Sequence, residues 1–357
     1  MVDNRPVTAV TGIKTWLLEQ RESTYLLPRC AFAIIICGFL GLASFTLFNA
    51  LHWINKPFPG FLINARLVVA DYGKSDWPGI EAGLRFPDKL ISANDQKIAN
   101  AHDLENVLQS VKIGNEATYV FNRKGEQFKI NLPTMRFTVW DFLATFGIEF
   151  TAALLYFGLG VVVFIMKPDA ELSWVFFLAC SWLGVYVITG FDIVSTHSCL
   201  LPYHLANAFL PASFAHMSLV FPYRWKFTER HPWYVFVPHV ISAFVFVPFH
   251  AFYPGPVFLA LYPFLYIYLF LGAISPVASG IVAFFTGEST LAKQRAKVIL
   301  LGAALAFPFP AVTYVLPFVG GSWGQIKFNA NFLVLILLIY PAYIAYAITK
   351  HNLFDVD

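Results

Sequence analysis

Glu149 lies well inside an apolar stretch, where a carboxylate is costly unless it meets a partner, a proton or a cavity. Asn207 and His216 share a later stretch, and Asp141, Asp192, His239, His250 and Asn331 sit in or beside others. A ligand pocket within a helical bundle, or a proton-sensitive switch, is the chemistry such residues could perform. Hydrogen bonds between neighbouring helices are the plainer use of the same groups. Hydrolytic chemistry has no support. A zinc hydrolase needs H-E-x-x-H, two His one helical turn apart with Glu as base. His216, His239 and His250 are too scattered for that. A serine hydrolase would need a G-x-S motif and a His on a second helix, which Ser275-Pro276 and Ser279-Gly280 do not supply. No P-loop, GxGxxG or carboxylate pair is convincing. Cys30, Cys37, Cys180 and Cys199 form no C-x-x-C pair and no zinc spacing, and read as packing residues. The expectation is a protein that is not an enzyme and carries no cofactor or metal.

The elements that position these residues follow from composition. Of 357 residues, 58% are hydrophobic and 13% charged, about half the charge of an average soluble domain. A soluble chain has too little interior for that apolar surface, so lipid is the expected solvent. The net charge of +3 forms no dense basic patch, which argues against nucleic acid. A spanning helix needs about 20 apolar residues. Eight stretches qualify: 30–51, 140–166, 172–191, 205–222, 233–252, 257–285, 298–319 and 331–348. The weakest is 205–222, which carries Asn207, Ser213 and His216, and Pro308 and Pro310 interrupt the seventh. The first reads as an uncleaved signal anchor, since no A-x-A pattern follows it. With the N-terminal tail inside, twelve Lys/Arg fall on the cytoplasmic side and one, Lys327, in the short outer loops. That asymmetry places both termini in the cytoplasm. The expected organisation is a tail over 1–29, a span over 30–51, an extracytoplasmic domain over 53–136, a seven-span bundle over 140–348 and a tail over 349–357. The fold class is thus a polytopic α-helical membrane protein, eight spans arranged 1+7, with an α+β domain inserted after the first.

Within 53–136 the periodicity changes. Leu62–Val69, Lys89–Ala93, Ala117–Asn122 and Gln127–Leu132 read as strands, and Arg123-Lys124-Gly125-Glu126 as a hairpin turn. His102–Val111 reads as an amphipathic helix with Leu104, Val107, Leu108 and Val111 on one face. The run Ile80-Glu81-Ala82-Gly83-Leu84-Arg85-Phe86-Pro87-Asp88-Lys89-Leu90-Ile91-Ser92-Ala93-Asn94-Asp95 resembles the signature of a bacterial, circularly permuted PDZ domain. Two departures stand out: Pro87 where the family usually has Gly, and Asp95 in place of the turn Gly. Pro87 fixes φ and removes a donor, so its loop must differ locally. The resemblance covers 57–134 and implies a groove in which a peptide adds as a strand beside a helix. Phe58-Pro59-Gly60-Phe61-Leu62 is similar to the loop that closes such a groove, so Pro59, Gly60, Phe61 and Leu62 would form one wall. His102, Leu104, Leu108 and Val111 would form the other.

The last stretch, P-x-Y-x-A-Y-A-I followed by Lys350-His351-Asn352-Leu353-Phe354-Asp355-Val356-Asp357, resembles the end of the membrane input region of bacterial sensor histidine kinases. Phe221-Pro222-Tyr223-Arg224-Trp225 with Arg230-His231-Pro232-Trp233 is similar to that group too. No phosphoacceptor-His helix or ATP-binding motif follows, so the chain is expected to be a truncated receptor, a fragment, or a stand-alone relative working through a partner. The implied function is an inner-membrane input module. It would bind an extracytoplasmic peptide or protein segment and signal to a cytoplasmic kinase or similar protein, as a single chain or as a homodimer. A non-signalling membrane scaffold is the second reading. The third is a small-ligand receptor or transporter using Glu149, Asn207 and His216 in the bundle.

Overall fold

The structure is a computed structural model that describes residues 7–70, 72–287, 289–310, 312 and 330–350. Helix α1 spans Val7–Leu51. The chain divides after Phe45, and the described residues from Thr46 onward belong to one compact unit. Within that unit come β1 (Pro57–Phe58), α2 (Pro78–Glu81), β2 (Lys89–Ala93), β3 (Gln96–Lys97), α3 (Ala101–Ser110), β4 (Glu116–Arg123), β5 (Glu126–Pro133) and β6 (Met135–Arg136). The bundle follows as α4 (Val139–Phe142), α5 (Ile148–Met166), α6 (Glu171–Ile188), α7 (Leu200–Val220), α8 (Lys226–Arg230), α9 (Val237–Ala251), α10 (Pro256–Thr286), α11 (Thr290–Ala306), α12 (Leu333–Leu337) and α13 (Ile339–Lys350). A π-helical turn over Leu143–Gly147 joins α4 to α5.

Among the described residues, six segments are long and apolar enough to cross a bilayer: Pro28–Leu51, Val139–Met166, Glu171–Val194, Pro232–Ala251, Pro256–Thr286 and Leu333–Lys350. Large apolar side chains stand bare on them, with Phe244 78% exposed and Phe285 75% exposed. Water would not tolerate that surface, whereas lipid does. The chain therefore has the make-up of a polytopic helical membrane protein. Two of the eight expected stretches are not among the six. The fourth is helical, as α7, but too polar to qualify. The reason is its position: Ala206, Asn207, Ala208, Leu210, Pro211, Ala212, Ser213, Phe214, His216 and Met217 are all buried, packed between α6, α9 and α10. A helix wrapped by other helices faces little lipid and does not need a lipid-soluble surface. Of the seventh, α11 ends at Ala306, just before Pro308, and 313–329 lie outside the described residues, as do 351–357 with most of the tail motif.

The insert is an antiparallel four-stranded sheet in the order β3-β2-β4-β5, with α3 packed on it. The β4–β5 turn has Lys124 at φ 55° and Gly125 at φ 97°, the two left-handed positions a two-residue hairpin demands. Asn94 and Asp95 do the same between β2 and β3, at φ 47° and 61°. Asn100 caps α3 and shares a capping box with Asp103. The expected strand Leu62–Val69 is not continuous. Asn64 Oδ1 accepts from the Arg66 and Val68 amides, Leu67 turns at φ 64°, and the segment folds back to bridge Ile63 with Val69. The loop at Pro87 carries a cis Phe86–Pro87 bond. Beside it the fully buried Asp88 takes two bonds of 2.6 Å from Arg123 and one of 2.9 Å from the Arg85 amide. Burial works to raise the Asp88 pKa, but these hydrogen bonds outweigh it and hold the carboxyl below its ordinary value.

The insert does not stand apart from the bundle. Its entry and exit strands, β1 and β6, pair with each other. Phe58, Leu62, Trp77 and Phe137 of the insert share one aromatic core with Phe142, Phe146, Phe191 and Val194 of the bundle. Phe58 meets Trp77 edge-on at 4.7 Å, and Phe146 meets Phe191 edge-on at 5.9 Å. Asp141, 1% exposed, locks this seam. Its carboxylate accepts from Trp77 Nε1 at 2.9 Å, Lys74 Nζ at 3.1 Å and the Thr138 hydroxyl at 2.6 Å.

Candidate functional site

A cleft of about 260 Å³ opens between the Pro59–Ile63 segment and α3. That exceeds the roughly 150 Å³ that accommodates a benzene ring, so an aromatic or branched aliphatic side chain fits. Pro59, Phe61, Leu62, His102, Leu104 and Leu108 line it. Two expected groove residues do not. Gly60 is packed into the insert, where an added Cβ would lie 2.8 Å from the Pro78 ring, and its own φ is 78°. Val111 is the C-cap of α3 and packs on the insert core. Lys56 and Glu105, 3.0 Å apart and both half-exposed, add a charged rim.

The wall along Ile63 is a strand edge. Leu62 O accepts from the Ala70 amide at 2.8 Å and the Asn64 amide donates to Val68 O at 2.9 Å. Residues alternate along an extended chain, so Phe61 and Ile63 direct their own polar groups the other way. Among the described residues the Phe61 and Ile63 amides have no acceptor. Buried backbone donors are almost always paired, and a free pair on a cleft wall is what strand addition uses.

The bundle supplies a third wall. Val194, Ser195, Thr196 and His197, from the loop between α6 and α7, line the same cleft. His197 Nε2 donates to Ile63 O at 3.1 Å, which occupies the acceptor beside the free Ile63 amide. Burial lowers the His197 pKa despite the Ile63 carbonyl and the Asp192 carboxylate, so the ring is neutral. Asp192 shapes the loop. Its backbone carbonyl takes the His197 amide at 2.7 Å and its carboxylate takes the Cys199 amide at 2.6 Å and the Thr196 hydroxyl. None of these loop residues was visible as part of a groove, since only tertiary docking brings 194–197 to 59–63. The Asx-type run Asp192-x-x-Ser195-Thr196 signals a structured turn and nothing about its neighbour.

The three bundle candidates do not converge. Glu149 is buried over Gly190, where a Cβ would come 2.9 Å from its Oε2, and faces the Tyr72 phenol. Burial first, and Glu149 second, push the Tyr72 phenol well above its ordinary range, so it stays protonated. Asn207 lines a separate, smaller cleft and gives its amide to Tyr203 O at 2.9 Å. His216 Nε2 stands 3.5 Å from Glu171 Oε1, and its ring meets that of His239 edge-on at 5.4 Å. Asp141 and Asp192, candidates for the same reason, organise the seam and the loop. Asn331 donates to Ala144 O at 2.8 Å, inside the π-helical turn. Comparison with family models, with curated proteins and with solved structures finds no match to this chain.

Proposed function

We propose that this chain is a bacterial inner-membrane input module whose PDZ-like insert captures an extended extracytoplasmic peptide and passes the event into the bundle. The free Phe61 and Ile63 amides on the cleft wall carry this reading. A peptide strand laid between that edge and α3 would pair with both donors and set a side chain into the apolar cleft. To take the Ile63 carbonyl as well, it must displace His197. The loop 192–199 joins α6 to α7, so peptide-bound and peptide-free states would differ where these two largely buried helices meet. That difference is what any transmission requires. The charge asymmetry of the loops supports eight spans with both termini cytoplasmic, and the resemblance of the last stretch to sensor-kinase input regions is what points to a signalling protein of kinase type as the partner there.

The test is selection from a displayed library of random decapeptides on the full chain in nanodiscs. Enriched peptides are expected to lose about tenfold or more in affinity to Glu105→Lys, which reverses the rim charge, and less to His102→Ala. Both positions are solvent-accessible, so neither change disturbs the insert core. Equal retention by all three proteins would remove the groove from the account. Gly60 is not a usable probe, because any side chain there strains the fold itself.

A further inference from the structure

On the other face of the 63–66 segment lies a second cleft, of about 60 Å³, between the insert and the ends of α7, α9 and α10. Its lining includes Arg66, Tyr203, His204, Asn207, Tyr262 and Tyr266, with no Asp or Glu. We propose that it is a binding site for a small monocarboxylate of two to four carbons, held by Arg66. The proposal stands apart from peptide capture.

Charge is the first argument. The Arg66 guanidinium lies 5.5 Å from the ring centroids of both Phe258 and Tyr262, and among the described residues no carboxylate pairs with it. A cation resting on aromatic faces at a cleft wall keeps its N–H fork free for a planar anion. The Asn64 turn fixes the backbone beneath it, since Asn64 Oδ1 takes the Arg66 amide at 2.9 Å.

Donors are the second. Tyr262 Oη and Tyr266 Oη lie 2.7 Å apart. Either hydroxyl can be the donor of that bond, and both phenols stand on the cleft wall. His204, 2% exposed, sets its Nδ1 3.0 Å from His250 Nδ1 and lines the cleft. Guanidinium, phenol and imidazole converging on one small space suit a carboxylate.

Size and walls decide the class. At roughly 10–15 Å³ for each water-sized position, the space admits about four to six heavy atoms. Phe249, Phe258 and Leu265 supply an apolar side for a short carbon chain. A single cation balances a single negative charge, which disfavours inorganic phosphate. A phospholipid headgroup has the same charge and is the competing source of an anion.

Equilibrium dialysis of labelled propionate against the full chain in uncharged detergent, at constant ionic strength with chloride, tests this. The expected result is saturable binding, one per chain, with a dissociation constant on the order of a millimolar. Arg66→Gln is expected to weaken it about tenfold or more, Tyr266→Phe less, and His102→Ala, in the other cleft, not at all. Arg66 is partly exposed and unpaired by any acid, so its replacement leaves the fold intact, which a matching thermal midpoint verifies. Absence of saturable propionate binding would overturn the proposal. So would equal binding by Arg66→Gln, or displacement of propionate by phosphatidylglycerol but not by acetate or butyrate.

Discussion

Asp141→Ala is expected to destabilise the junction of insert and bundle by about 3–5 kcal/mol, the usual consequence of removing one member of a buried charged network. The carboxylate is 1% exposed and has three side-chain donors, from Trp77, Lys74 and Thr138. Its loss leaves the Trp77 N–H without an acceptor in an aromatic core, and it ends the capping box at the start of α4. Lys74 responds as well. Burial alone would lower its pKa, but Asp141 and then Asp76 raise it, and only the exposed Asp76 would remain. Hydrogen exchange across 53–136 reads the effect. Protection there should fall while α11, packed on α10 and α13, keeps its own. A variant with wild-type protection across the insert would show that the aromatic core alone suffices.

Gly272→Ala is expected to lower stability by about 2 kcal/mol, with Gly272→Leu well beyond that. At this point α10 crosses α7 so closely that an added Cβ would lie 2.3 Å from the Pro211 Cβ and 2.4 Å from its Cα. Pro211 cannot yield, because its ring is tied to the α7 backbone. The helices must separate, and van der Waals packing is the main force holding helices together in lipid. Gly160 against Cys180 and Gly302 against Tyr343 mark similar approaches, at 2.7 and 2.5 Å, but there no Cα or carbonyl oxygen comes closer than 3.3 Å. Thermal unfolding in detergent should rank Gly272→Ala as more damaging than Gly158→Ala, where nothing lies within 4 Å. The reverse order would place the α7–α10 contact elsewhere.

Hydropathy made legible the six described segments that are long and apolar enough to cross a bilayer, because lipid-facing helices announce themselves by composition. It was least informative for α7, whose burial among other helices relaxes that demand. Periodicity located β2, β4, β5 and α3 within a residue or so, since each has one buried face. It failed at Leu62–Val69, where Asn64 turns the chain, although an Asn followed by a left-handed Leu67 is visible only once the backbone is known. The groove was half legible. His102, Leu104 and Leu108 fall within two turns of one helix and form one wall, while Lys56, Ile63 and 194–197 come from separate segments. Glu149 stood out for its cost in lipid, yet it lines neither cleft and packs against Gly190 and Tyr72.

Peptide capture acting on the bundle is the central claim, and amide exchange in the loop 192–199 measures it directly. The Ser195 and His197 amides are held by Asp192 O, and the Cys199 amide by the Asp192 carboxylate. Saturating the full chain in nanodiscs with a library-selected peptide should speed exchange at these three amides, as His197 leaves Ile63, while α3 becomes more protected. Protection of α3 with the three loop amides unchanged would mean that the groove fills without the bundle sensing it.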